Sequence, residues 1–412
     1  MTDSKHLISQ LFRTEYRKIT SVLCRVFGIQ QLEWAEDIVS ETFLVAAETW
    51  RLKGVPDQPA AWLYSVAKNK AKDRLKREQL FRDKIAPQVS LTTTSTENPI
   101  DALTFLPEQL QDSQLRMLFS ICHPSIPEEA QMGLALRILC GLGIDEIASA
   151  FLSNKEVINK RLYRARQKLR QVNIDMSLPD PAVLPERLET VLRIIYLLFS
   201  EGYYSNSQPY HLQQHLCLEA MRLNLLLVQG EETVRPEVYA NLAMMCFHSS
   251  RFAARVDENK KWVLYEDQDR SRWDQQLIEQ GHYYLRLAAE GDQLTKYHLE
   301  ARIAYWHTQD DQHPNKWQEV LQLYNWLLQV EYSPIAALNR TYALARVEGS
   351  QTAIKEALKL NLEKYHLYYA LLGELHLELD RAKSVQFYER ALTLTQTPAD
   401  RHLLEQKLAK IR

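Results

Sequence analysis

Apolar residues recur every three or four positions along nearly the whole chain, and that spacing most constrains the fold. Leu7, Leu11, Phe12, Ile19, Val22, Leu23 and Val26 trace it first, followed by Ile38, Val39, Thr42, Phe43, Ala46 and Ala47. No sustained alternation of period two is bounded by turn residues, so strands are not expected. Glycine agrees. Only 11 of 412 residues are Gly, against roughly 7% in average usage, too few for a turn-rich β-sandwich. The expectation is an all-α fold of two or three domains.

Several classes fall at once. The five cysteines (Cys24, Cys122, Cys140, Cys217, Cys246) are scattered and form no CxxC pair, which argues against a disulfide framework or zinc module. The first residues hold no apolar signal core, and no apolar run reaches the roughly 18 residues of a membrane span. A reducing cytoplasmic location without membrane contact is expected. No P-loop, GxGxxG or GxSxG occurs. His211 and His215 share a helix spacing but lack HExxH or a neighbouring Cys. No metal, cofactor or catalytic constellation is expected, and the chain reads as a non-enzyme.

The net charge of −2 hides a split. Residues 1–175 carry 24 basic and 21 acidic side chains, whereas residues 176–412 carry 26 and 31. Two basic islands stand out. Residues 68–84 hold eight basic against three acidic, and residues 155–170 hold seven against one. They suit two contacts with a polyanion, or else two solvated helix faces.

Breaks divide the chain into 1–82, a polar and acidic linker 83–111 containing SLTTTSTEN, a helical segment 112–175, and a helical remainder 185–412 beyond DMSLPDPAVLPE. Helices are expected to resume near Asp112. In the last 130 or so residues, Tyr324, Glu356 and Tyr388 fall 32 apart. FYERALTL at 387–394 is similar to the second helix of a tetratricopeptide repeat, and an ordinary bundle of α-hairpins is the alternative.

Two constellations carry chemistry. In the first, WAEDIVSETFLVAAETW (34–50) places Asp37 and Glu41 one turn apart, either as a docking surface for a basic helix or as solvated surface. After a proline-bearing loop, AWLYSVAKNKAKDRLKRE (61–78) sets Lys68, Lys72 and Lys76 in a ladder that would neutralise phosphates. Asn69 could read a base, and Trp50, Trp62 and Tyr64 could stack on flipped bases or pack in the core. In the second, a short helix 144–151, a turn and a basic helix 155–170 have helix-turn-helix geometry. Ile147, Ala148, Phe151, Ile158 and Leu162 would pack it. Lys155, Asn159, Lys160 and Arg164 would face DNA, and Arg161, Arg166 and Lys168 would meet phosphates.

The first constellation resembles region 2 of bacterial extracytoplasmic-function (ECF) sigma factors, and the second, following it in order, resembles sigma region 4. The resemblance implies that Asp37, Ser40, Glu41 and Phe43 contact bacterial core RNA polymerase. It implies that the loop 51–58 with Arg51 and Lys53, and Trp62, Lys68, Asn69, Lys72 and Arg74, capture the −10 element of promoter DNA. Lys155, Asn159, Lys160, Arg161 and Arg164 would read the −35 element. Ser40 stands where the family usually has Gln, and Val157 where it usually has Thr. LPERLETVLRIIYLLFSEGYYSN, RFAAR, YEDQDRSRWD and SPIAALNR resemble the long subgroup with a C-terminal tetratricopeptide-like extension, called ECF42. That resemblance implies a C-terminal domain modulating activity in cis. Its charge cluster (Glu266, Asp267, Asp269, Arg270, Arg272, Asp274, with Arg251 and Arg255 upstream) could pair internally, take a protein or ligand partner, or bind the basic faces of residues 1–175. The competing reading is a one-component helix-turn-helix regulator with a sensor domain, which leaves Asp37–Phe43 and Trp62–Asp73 unexplained.

Overall fold

The structure is a computed structural model that describes residues 2–85, 103–150, 153–172, 174–203, 214–257, 263–310, 312–395 and 398–412. The described residues are helical, with no β-strand element among them. They divide into two compact units, Met1–Leu198 and Phe199–Arg412.

The first unit begins with three long helices, α1 (Thr2–Phe27), α2 (Leu32–Lys53) and α3 (Pro59–Ile85). Gly28 and Gly54 end the first two with φ of +88° and +83°, a backbone only glycine adopts without strain. Pro59 opens α3, where its missing N–H leaves no bond unmade. Ile19, Leu23, Ile38, Val39, Leu63, Ala67 and Ala71 are buried, so the 3–4 spacing read from the sequence is the core face.

Helix α4 (Pro107–Ile121) starts earlier than composition suggested, because Pro107 occupies the first helical turn inside the polar stretch. The residues before it are also ordered by packing. Leu103 is buried, and Phe105 stacks on Tyr64 at 4.7 Å with the rings 5° from parallel. Lys68 Nζ donates to Leu103 O at 2.8 Å. Residues 86–102, most of the expected linker, lie outside the described residues.

Helix α5 (Glu128–Leu134) runs into a π-helical turn at Ala135–Leu139, and Gly141 at φ +70° breaks it. Helices α6 (Ile144–Ala150) and α7 (Lys155–Gln171) follow, then α8 (Leu184–Tyr203), within which the boundary between the units falls. Arg187, in the first turn of α8, donates from its guanidinium to Phe119 O near the C-terminal end of α4.

The second unit is a succession of helices: α9 (Gln214–Gln229), α10 (Pro236–Ser249), α11 (Phe252–Arg255), α12 (Gln275–Ala288), α13 (Lys296–Thr308), α14 (Lys316–Val330), α15 (Pro334–Glu348), α16 (Ser350–Ala357), α17 (His366–His376), α18 (Arg381–Leu394) and α19 (Pro398–Ile411); α10 packs on α9, α12 and α13, and from α12 onward each helix packs on the next. The core of its C-terminal half is a row of small clusters. Leu299, Val320, Leu323, Tyr324 and Leu327 form one; Leu338, Ala353, Ala357, Tyr368 and Leu372 the next; Tyr388, Ala391, Leu404 and Leu408 the last. Each cluster joins neighbouring helices, the arrangement of a chain that adds hairpins one at a time. Tyr324 and Tyr388, 64 residues apart in sequence, are both buried, and the Tyr388 ring lies against Gly373.

Candidate nucleic-acid interface

The outer face of α2 presents Glu33, Asp37, Ser40, Glu41, Leu44, Ala47 and Glu48 to solvent, as the helical period requires. Two of its carboxylates are held by α3. Arg74 lies 3.6 Å from Asp37, and Lys70 Nζ lies 3.0 Å from Glu41. Ser40, also exposed, donates its hydroxyl to Glu36 O at 2.8 Å. Phe43 differs from the expected surface role. It is 5% exposed and meets Phe12 edge-on at 5.0 Å, so it anchors α2 in the core. The apolar side chain this face does offer is Leu44, 60% exposed. Phe43 therefore lies behind the face that carries Asp37 and Glu41, and Leu44 lies on it.

Arg51 and Lys53 occupy the last turn of α2, both exposed, rather than the loop proper, which begins at Gly54. Leu52, between them, is 78% exposed, an apolar group in a basic setting that charge reasoning passed over. Trp62 is half-buried and packs against buried Trp50, with ring centroids 5.4 Å apart. Along α3, Asn69 and Lys72 are exposed, whereas Lys68 is turned onto Leu103 O and Arg74 onto Asp37. Of the predicted −10 residues, then, Arg51, Lys53, Asn69 and Lys72 stand free in solvent, while Lys68 and Arg74 are engaged within the unit.

Helices α6 and α7 pack against each other. Asn154 caps α7, accepting from Val157 N at 2.8 Å. Ile147, Ala148, Ile158 and Leu162 are buried, joined by Ala165 and Leu169; the side chain of Phe151 lies outside the described residues. Lys155, Asn159, Lys160 and Arg164 are exposed. Lys155 pairs with Asp145 at 2.5 Å. Arg161 is half-buried and pairs with Glu129 at 2.8 Å. Tyr163 is 56% exposed and its hydroxyl accepts from Gln167 Nε2 at 2.9 Å.

Arg166, expected at a phosphate, instead meets Glu36 of α2 at 2.9 Å. Glu36 is 8% exposed and also accepts from Tyr16 Oη at 3.1 Å. Burial pushes its carboxyl above the usual range, while Arg166, Arg137 and the Tyr16 hydroxyl pull the other way. Arg170 reaches Glu33 at 3.3 Å, and Arg25 of α1 meets Asp112 of α4 at 2.6 Å.

In the second unit the charge cluster pairs internally. Asp269 and Asp274 cap the turn Arg270–Arg272 and helix α12. Glu266 accepts from Tyr342 at 2.9 Å and Asp267 pairs with Lys410 at 3.2 Å. The Arg251 guanidinium sits 4.6 Å from the centre of the Tyr265 ring and donates to Gln268, and Arg255 sits 3.9 Å from that of Tyr203. His211 lies outside the described residues, so its pairing with His215 is not part of this geometry.

Residues 11–81 match the family model Sigma-70 region 2, and residues 187–289 match the model described as Family of unknown function (DUF6596). Sigma-70 region 2 implies an RNA polymerase sigma factor, a protein that binds core polymerase and promoter DNA. Over 384 residues the chain is 31% identical to "Uncharacterized protein R00370" of Rhizobium meliloti (strain 1021), a match covering 92% of this chain and 90% of that one. The chain belongs to the family of that rhizobial protein, and it joins a Sigma-70 region 2 to a DUF6596 region. No solved structure matches it.

Proposed function

We propose that the chain is an extracytoplasmic-function-type sigma factor acting in the cytoplasm, directing core polymerase to −35 and −10 promoter elements, with a helical-repeat C-terminal domain modulating it in cis. The observation that carries this reading is the Sigma-70 region 2 match over α1–α3 together with the capped helix-turn-helix α6–α7 downstream. Asp37, Ser40, Glu41 and Leu44 form the polymerase-docking face, with Phe43 holding the helix behind it. Arg51, Lys53, Trp62, Asn69 and Lys72 receive the −10 strand, joined by Lys68 and Arg74 once their internal partners are displaced. Lys155, Asn159, Lys160 and Arg164 enter the major groove at the −35 element, with Arg161 beside them. The chemistry of RNA synthesis stays with the polymerase. The tetratricopeptide-like reading of the second unit, as in the subgroup called ECF42, rests on its row of small cores and on Tyr388 against Gly373.

No helix among the described residues is long and apolar enough to cross a membrane. The test is reconstituted transcription. Core polymerase plus this chain should give discrete run-off products from fragments of the source genome. DNA binding without polymerase-dependent products would favour the one-component regulator.

A further inference from the structure

Between the last turn of α4 and the first turn of α8 lies a cavity of about 160 Å³. Phe119 and Ser120 of α4, His123, Arg187 of α8, and Asp175 and Ser177 from the segment between α7 and α8 line it. All of them belong to the first unit, and none lies on α2, α3 or α7. A cavity of about 150 Å³ takes a ligand of about six heavy atoms, and one lined only by apolar groups stays dry. This lining is largely polar, so the occupant it suits is small and polar.

The donors decide its charge. Arg187 is half-buried, and no carboxylate pairs with it among the described residues. Its Nη2 donates to Phe119 O, which offsets the carbonyl end of α4. Nε is buried without an acceptor, and Nη1 has none among the described residues. Burial pulls the guanidinium below its usual range. A guanidinium so short of acceptors favours an oxyanion, which it binds through charge-assisted hydrogen bonds. His123 adds a second donor. Ser125 N–H donates to its Nδ1 at 3.2 Å, so the neutral ring carries its proton on Nε2. Burial and the Arg187 charge both lower its pKa, which keeps the ring neutral near pH 7. Ser177, exposed, offers a hydroxyl, whereas Ser120 already donates to Arg116 O at 2.8 Å. Asp175, also exposed, is the acid of the lining and works against an anion.

We propose that this cavity binds a small oxyanion, a carboxylate or phosphate group, held by Arg187, the Nε2–H of His123 and the Ser177 hydroxyl. Bound there, the anion ties the end of α4 to the first turn of α8, the helix within which the first unit ends. The site goes beyond the sigma-factor reading and does not depend on it.

The test is titration of the full chain at constant ionic strength with inorganic phosphate, acetate and malonate in turn, by isothermal titration calorimetry and amide hydrogen exchange. At least one of them should bind at a single site at millimolar concentration and slow exchange in residues 119–123 and 184–190. Which of them binds separates phosphate from carboxylate as the group recognised. Arg187→Lys keeps the charge and a donor for Phe119 O but loses the planar fork. It should weaken binding about tenfold or more, the loss of one charge-assisted hydrogen bond, with helicity by circular dichroism unchanged. Ser177→Ala, at an exposed position, should weaken it severalfold. Asp175→Asn should tighten it, an effect that damage to the fold would not produce. Neither heat nor exchange protection with any of the three anions would overturn the site. So would an affinity unchanged in both Arg187→Lys and Ser177→Ala, or binding lost in Lys160→Ala with Arg164→Ala instead, which would put the anion on α7.

Discussion

The reading of α7 as a DNA-facing helix makes a quantitative demand on salt dependence. Lys160, Arg164 and Lys168 lie at i, i+4 and i+8, are exposed, and have no ionic partner among the described residues. If each meets one phosphate of non-specific duplex, three counterions are released, and log K should fall with log salt at a slope of about −2.7. Between 50 and 200 mM salt that is a loss of about 40-fold. Lys160→Ala with Arg164→Ala leaves one phosphate contact, a slope of about −0.9 and a loss of about 3.5-fold over the same range. Arg161→Ala should leave the slope near the unmutated value, because Arg161 is half-buried and held by Glu129. Fluorescence anisotropy of a labelled duplex, titrated with full-length protein at five salt concentrations, measures all three. A double variant that keeps the parental slope, or an Arg161→Ala variant that loses as much as the double, would refute the assignment of this face.

Two further outcomes follow from packing and burial. A Cβ on Gly373 would lie 2.8–3.1 Å from carbons of the Tyr388 ring, whose hydroxyl is fixed to Glu374 at 2.6 Å. Gly373→Ala should therefore lose about 1–3 kcal/mol to overpacking and regain about 1 from helix propensity, seen as faster amide exchange in α17 and α18. Burial raises the Glu201 carboxyl to about 7, above its ordinary 4.5, so the folded state holds the proton more tightly than the unfolded one. Stability should fall as pH rises through the window from 4.5 to about 7 and level off above it, and Glu201→Gln should flatten that fall in denaturant titrations at pH 5 and pH 8.

Much of this was legible from spacing. The buried set Ile147, Ala148, Ile158 and Leu162 is the one the helix-turn-helix pattern names, because packing in so short a motif leaves few choices. Pro59 opens α3 for the reason proline tolerates a first turn. Phe43 falls in the buried spacing set, with Phe12 of α1 against it, and it is the resemblance rather than the spacing that puts it at the surface. What spacing missed was set by contacts distant in sequence. Arg166 turns from solvent because Glu36, 130 residues earlier, is buried opposite it. Composition placed the end of the linker too late, since polar residues before α4 conceal Leu103 and Phe105, which dock on α3. In the second unit the internal pairing of the Glu266–Asp274 cluster was one of the alternatives the sequence left open, and partners as remote as Tyr342 and Lys410 decided it.

The central claim is that the outer face of α2 docks this chain on core polymerase. Gel filtration of core polymerase with the unmutated chain and with Glu41→Arg tests it most directly, since Glu41 is exposed and pairs with Lys70 of α3. The account predicts that the unmutated chain co-elutes with polymerase and that Glu41→Arg, still helical, does not. Co-elution of neither, or of both equally, would contradict it.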